Sequence, residues 1–176
     1  MFSYAKFYTL FKTIFEKANC LKLQKSKRLT IVFMIQIPFP PFPFKIKESE
    51  GKEWIFDEIR KQWVRLSPEE WVRQNILQYF LQIMNYPSSL IAIEKEIKLG
   101  ELKKRFDILV YKDSKPWLMV ECKEMNVPIN ESVLKQVLNY NISLEVPYIL
   151  ITNGNDSFAY ELSNGTMQQI LSIPNY

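Results

Sequence analysis

Asp107, Glu121 and Lys123 are the residues whose types and spacing could do chemistry in this chain. They lie within KKRFDILVYKDSKPWLMVECK (103–123), which reads as two strands joined by a tight turn. Strand side chains alternate between faces, so Glu121 and Lys123 share one face while Cys122 points the other way. A hairpin closed through Asp113-Ser114-Lys115 sets Tyr111 opposite Trp117, Leu109 opposite Met119 and Asp107 opposite Glu121. Two carboxylates about 5 Å apart at an effective dielectric near 20 repel by roughly 3 kcal/mol, and like charges directly across strands are destabilising. The arrangement therefore calls for a cation, and a hard divalent metal suits paired carboxylates. A cross-strand ion pair at a solvated edge, Glu121 with Arg105 or Lys123 with Asp107, would satisfy the same charges without any chemistry.

Composition narrows the chemistry further. The chain of 176 residues has no histidine, which excludes histidine-based acid–base catalysis, Ser-His-Asp and Cys-His nucleophilic sites and the usual histidine-containing zinc sites. Its two cysteines, Cys20 and Cys122, cannot build a disulfide framework and fit a reducing cytoplasm. Four glycines, at 51, 100, 154 and 165, leave no phosphate-binding P-loop and no dinucleotide fingerprint. The net charge of +4 comes from one end. Of 23 basic and 19 acidic residues, residues 1–33 hold seven and one, so the remainder carries a net −2. Nucleic-acid affinity in the main domain would have to come from a local patch.

Elements that could position the acids follow in order. Residues 1–33 form a basic extension whose Phe7, Leu10, Phe11, Ile14, Phe15 and Ala18 recur at helical spacing. It reads either as an upstream segment preceding a start at Met34 or as a helix lying on a membrane surface. Residues 34–66 are a proline- and aromatic-rich lead-in, extended over Pro38–Phe44, with Trp54, Phe56 and Trp63 as expected core anchors. The domain proper is expected over 67–176. Ser67-Pro68-Glu69-Glu70 is a strong helix start and capping box, for a helix running to about Met84. Leu90 to Leu99 reads as a first strand, and the hairpin supplies two more. Asn130 caps a second helix, with Ile129 and Leu134 as a hydrophobic staple. PYILIT (147–152) is a strand buried on both faces, and Phe158–Leu162 follows the Asn153-Gly154 turn. The fold class is α/β with a mixed sheet flanked by helices, in the order helix, three strands, helix, strand. No apolar run is long enough for a membrane span.

Taken together, LSPEEWVRQNIL (66–77), YPSSLIAIEKEIKLG (86–100), KKRFDILVY (103–111), LMVECKE (118–124), LKQVLNYN (134–141) and YILITNG (148–154) resemble the PD-(D/E)XK nuclease superfamily. The resemblance is closest to small bacterial proteins similar to the N-terminal nuclease domain of type I restriction enzyme R subunits. It covers Met34 onward and implies a restriction-endonuclease-like core and a Mg²⁺- or Mn²⁺-dependent endonuclease acting on DNA in restriction or repair. It further implies that Asp107, Glu121 and the Cys122 backbone carbonyl ligate the metal while Lys123 assists catalysis. Gln136 and Tyr140 match the Gln-x-x-x-Tyr motif of RecB-type nucleases, and Glu70 matches a helical acid that many members add to the metal site. Glu94 is a second supporting candidate, and Arg73 and Arg105 are candidate phosphate contacts. Phe106 departs from the proline of the superfamily name. The motor and target-recognition parts of a type I enzyme are absent from this sequence, so a stand-alone nuclease, or one working with other restriction or repair subunits, is implied. Dimerisation would suit double-strand cleavage. A non-catalytic nucleic-acid-binding or assembly module on the same fold is the competing expectation.

Overall fold

A computed structural model describes residues 34–35, 37–99 and 102–176; the basic extension of residues 1–33, with its helix and membrane readings, lies outside them. The chain enters through the proline-rich segment, which is extended and lays its rings on the domain: Phe42 is buried and Phe44 packs on Trp71 at 5.0 Å between ring centroids. A three-stranded antiparallel meander follows, β1 (Ile46–Ser49), β2 (Lys52–Asp57) and β3 (Gln62–Arg65). Its core anchor is Ile55, which is fully buried, because Ile55 and Asp57 alternate onto the face that meets the domain. Trp54, Phe56 and Trp63 fall on the opposite face. The expectation that they anchor the core is thus corrected, and Trp63 is exposed.

Helix α1 (Pro68–Gln78) begins where the sequence indicates: the Ser67 side chain accepts the Glu70 backbone N–H, and Pro68 opens the first turn. A π-helical turn (Tyr79–Ile83) continues it, and Asn85 leaves in the left-handed region at φ 54°. After a short 3₁₀ turn come β4 (Ile91–Ile93), β5 (Glu96–Leu99), β6 (Leu102–Arg105), β7 (Ile108–Lys112) and β8 (Lys115–Cys122). The expected strand Leu90–Leu99 is therefore broken. Glu94 at φ 47° bends it, and the partner strand breaks opposite, at Phe106-Asp107. The β5–β6 arm pairs separately, while β4 and β7 stay in the main sheet. The hairpin of β7 and β8 turns through Asp113 and Ser114, both at positive φ, as a tight two-residue connection requires. Leu109 opposes Met119 as expected, but a bulge between Val110 and Tyr111 sets Tyr111 against Pro116 in place of Trp117.

Helix α2 (Glu131–Leu144) crosses from β8 to β9 (Tyr148–Thr152), the connection a parallel pair needs. Asn130 Oδ1 accepts the N–H groups of Ser132 and Val133 and caps the helix. The antiparallel strands β10 (Ser157–Ser163) and β11 (Thr166–Ile170) complete a mixed sheet in the order β11-β10-β9-β8-β7-β4. β11 had no counterpart in the sequence reading. One face of the sheet packs Ile108, Val110, Leu118, Val120 and Leu150 under Val72, Ile76, Leu77 and Phe80 of α1 and its continuation. The other packs Leu109, Met119, Ile149 and Ile151 under Val133, Leu134 and Val137 of α2. Both faces of β7, β8 and β9 are thus covered, which leaves polar chemistry to their ends.

Candidate active site

The break that bends the long hairpin is what positions Asp107. Its carbonyl accepts the Glu94 N–H at 2.9 Å, so the two residues pair through their backbones across the bend. The Asp107 carboxylate does not wait opposite Glu121 for a cation. Oδ2 accepts the Cys122 backbone N–H at 2.7 Å, and Oδ1 accepts Arg73 Nη2 at 2.8 Å. This anchors the end of β7 to the end of β8 and to α1 at once.

Glu121, the penultimate residue of β8, is buried, and its Oε1 accepts Lys123 Nζ at 2.7 Å and Gln136 Nε2 at 3.1 Å. Period-two alternation delivers Lys123 to the Glu121 face, and the first turns of α2 deliver Gln136. The Tyr140 side chain lies outside the described residues, although its backbone belongs to α2. Burial, and then the nearby Asp107 charge, raise the Glu121 pKa above the ordinary carboxylate value, even against Lys123. Burial works against the charge on Lys123, but its hydrogen bond to Glu121 and the fields of Glu121, Asp107 and Glu69 outweigh it and raise its pKa. Lys123 is a held ammonium. Burial also pushes the Cys122 thiol well up, and its side chain belongs to the core.

Arg73 and Glu70 stand differently from their sequence-based roles. Arg73, a candidate phosphate contact from the sequence, is 4% exposed and sits among carboxylates. It pairs with Glu70, with Asp107, with Glu69 at 3.1 Å and with Glu94 at 3.7 Å. These neighbours, Asp107 and Glu70 foremost, hold its pKa up against the cost of burial. Glu70 does not face the Asp107–Glu121 pair. Its carboxylate accepts Arg60 Nη2 at 2.7 Å, Gln74 Nε2 at 2.8 Å and Arg73. Arg60 in turn holds Asp57 at 2.7 Å and Glu94 at 2.5 Å. Glu94 thus joins the same network, while Arg105 stays largely in solvent, 3.7 Å from Glu94.

Glu69, one residue earlier, is the helical acid turned toward the site. Burial and then Asp107 raise its pKa, and its field reaches both Glu121 and Lys123. The sequence reading passed over it, although its i,i+4 spacing to Arg73 was a usable signal. Asp57, Arg60 and Gln74 were also missed, since nothing in linear spacing ties the β2–β3 turn to α1.

Six carboxylates (Asp57, Glu69, Glu70, Glu94, Asp107, Glu121) thus share this region with four cations (Arg60, Arg73, Arg105, Lys123). Among the described residues, no three His, Cys, Asp or Glu side chains stand together as a ready-made metal site. No helix of the described residues is long and apolar enough to cross a membrane. A sequence model of the family described as Type I restriction enzyme R protein N terminus (HSDR_N) matches residues 68–174. No curated protein matches the chain.

Proposed function

Because the chain belongs to the type I restriction enzyme R protein N-terminal family, we propose that it is a Mg²⁺-dependent nuclease hydrolysing DNA phosphodiester bonds. The reading places it in restriction or DNA repair, alongside partner subunits, on a restriction-endonuclease-like core of the PD-(D/E)XK type. What supports it most is the electrostatic state of one cluster. Glu69 and Glu121 both have raised pKa values, each partly through Asp107, beside a lysine kept charged. Carboxylates so crowded favour a further cation.

The donor set is all oxygen, which suits Mg²⁺ or Mn²⁺. Asp107, Glu121 and the Cys122 carbonyl would hold the ion. A metal bound there would polarise a phosphoryl oxygen and lower the pKa of a coordinated water. The chain's own groups do the rest. Lys123, fixed at 2.7 Å from Glu121, offers its ammonium to negative charge developing on the phosphoryl group. Gln136 sets the rotamer of Glu121 by donating to the same oxygen. Arg73 keeps Asp107 and Glu69 together on one side of the site.

One observation favours the second reading, a non-catalytic nucleic-acid-binding or assembly module: both Asp107 oxygens already accept hydrogen bonds from the protein. Cleavage of plasmid and linear DNA with Mg²⁺ or Mn²⁺ separates the two, comparing wild type with Asp107→Ala and Lys123→Ala. Activity in the wild type that both variants lose supports the nuclease. Equal activity in all three removes it from this site, and binding without cleavage in any selects the module.

A further inference from the structure

We propose that the outward face of the β1–β3 sheet is a platform for single-stranded nucleic acid. The inference deepens the nuclease reading by naming a substrate form, but it stands on different residues. Register decides which side chains share that face. Lys47 opposes Trp54, which opposes Arg65; Ser49 opposes Lys52; Phe56 opposes Trp63. Phe56 N–H also bonds to the Lys45 carbonyl, extending the same pairing by one step. Alternation therefore collects Lys45, Lys47, Ser49, Lys52, Trp54, Phe56, Trp63 and Arg65 on one side. Four are cations, three are aromatic and none is acidic. Glu48, Glu53 and Asp57 all fall on the other side, which Ile55 and Asp57 turn toward the domain.

The sorting is not required by packing, since a solvated sheet face normally mixes both signs. Lys45 has a counterion, Glu58 at 2.8 Å. Lys47, Lys52 and Arg65 have no carboxylate within ion-pair distance among the described residues and are exposed. Two of the three aromatics are in contact: Phe56 and Trp63 meet edge to face at 5.4 Å, with Lys47 over Trp63 at 4.4 Å and Lys45 over Phe56 at 5.1 Å, while Trp54 is half-buried between Lys47 and Arg65 in the register. Rings presented beside cations on an open sheet match the needs of an unpaired strand, whose bases stack and whose phosphates pair. A duplex hides its base faces and would use only the cations. The platform is tied to the candidate active site through the β2–β3 turn, where Asp57 bonds Gln74 and Arg60 bonds Glu70.

The test is fluorescence anisotropy in EDTA, so that no cleavage intervenes, with labelled oligo-dT and oligo-rU of about 20 nucleotides and a duplex of equal length. Wild type is expected to bind either single strand more tightly than the duplex. Trp63→Ala should weaken single-strand binding about tenfold, while Trp63→Phe retains most of it. The triple reversal Lys47→Glu, Lys52→Glu, Arg65→Glu should reduce the salt slope of log affinity by about 2. Circular dichroism confirms that these exposed substitutions leave the fold intact, and Glu53→Gln on the opposite face should not weaken binding. Unchanged single-strand affinity in both the Trp63→Ala and triple variants overturns the proposal. So does a wild type that prefers duplex or binds none of the probes, even if Mg²⁺-dependent cleavage is found. Loss of binding in these variants supports it even where no cleavage occurs.

Discussion

Arg73→Met replaces the guanidinium at the hub of the carboxylate network with a side chain of similar length and no charge. The structure makes the consequence large. Arg73 is buried, and it pairs with Glu70, Asp107 and Glu69. Glu70 keeps Arg60 and Gln74 as partners, but Asp107 Oδ1 loses the Arg73 donor, and among the described residues the carboxylate retains the Cys122 N–H on its other oxygen. Removing one member of a buried ion pair typically costs 3–5 kcal/mol, so a loss of about 3 kcal/mol is expected. In a chain of this size that lowers Tm by roughly 10 °C. Arg73→Lys should fall between, because one ammonium cannot span Glu70 and Asp107 as a fork of guanidinium N–H groups does.

The loss should also carry a pH signature. A carboxylate left unpaired in a buried site has its folded pKa raised, so the native state binds more protons than the unfolded chain. Stability then falls as pH rises from the unfolded carboxylate value through the raised one. The deficit of Arg73→Met relative to wild type is therefore expected in full near neutral pH and reduced on acidification toward about pH 4. Urea denaturation in EDTA at both pH values measures it. A loss below about 1 kcal/mol together with weakened DNA binding would refute the argument, because that is how a solvated phosphate contact behaves.

Three further outcomes can be checked in the same way. Glu121→Gln should be more stable than wild type in EDTA near neutral pH and indistinguishable in acid, since the raised Glu121 pKa makes its charged form costly only above the unfolded value; thermal melts across pH decide it. Glu69→Gln should leave Tm nearly unchanged, as its side chain is 45% exposed, yet lower Mg²⁺-dependent cleavage if the acid serves the site, with Glu69→Asp intermediate in kinetic assays. Asn130→Ala should destabilise by about 1 kcal/mol in chemical denaturation, through loss of the α2 cap.

What could be read from the sequence divides by the range of the interactions. The caps at Ser67 and Asn130 are local hydrogen-bond patterns, and both formed as written. The Leu109–Met119 pairing followed from the turn and alternation alone. Tyr111 slipped past Trp117 because a bulge adds a residue that no periodicity announces. The bend at Glu94 was hidden for a related reason: apart from Lys95, the hydrophobic alternation of IAIEKEIKL resumes in phase beyond it, and the backbone reveals the positive φ. The aromatic residues of β2 and β3 were misassigned to the core because hydrophobicity was weighed without the register. Once Lys47, Trp54 and Arg65 are known to lie side by side, their company of cations argues for an outer face.

The choice between Glu69 and Glu70 turns on the same limit. Consecutive residues on a helix point about 100° apart, so the SPEE cap defines where the helix starts without saying which acid looks at Asp107. That is decided by Arg60, thirty-odd residues from Glu94 in sequence, which binds Glu70, Glu94 and the meander's Asp57 together. With Glu70 occupied there and Arg73 drawn between Glu70 and Asp107, Glu69 is left to share the field of Asp107, Glu121 and Lys123. The buried network and the site are thus adjacent but distinct. The first fixes α1 against the bent hairpin, and the second is the part of that junction whose charges remain unbalanced. A cation recruited to the junction would relieve Glu69 and Glu121, which carry the raised pKa values, and leave the Arg60 network in place. At an acidic pH where these two acids still hold protons, metal binding should therefore release them without loosening the meander from α1. Calorimetric titration with Mg²⁺ in buffers of different ionisation enthalpy would detect that release, and its absence in a Glu69→Gln, Glu121→Gln double variant would assign it.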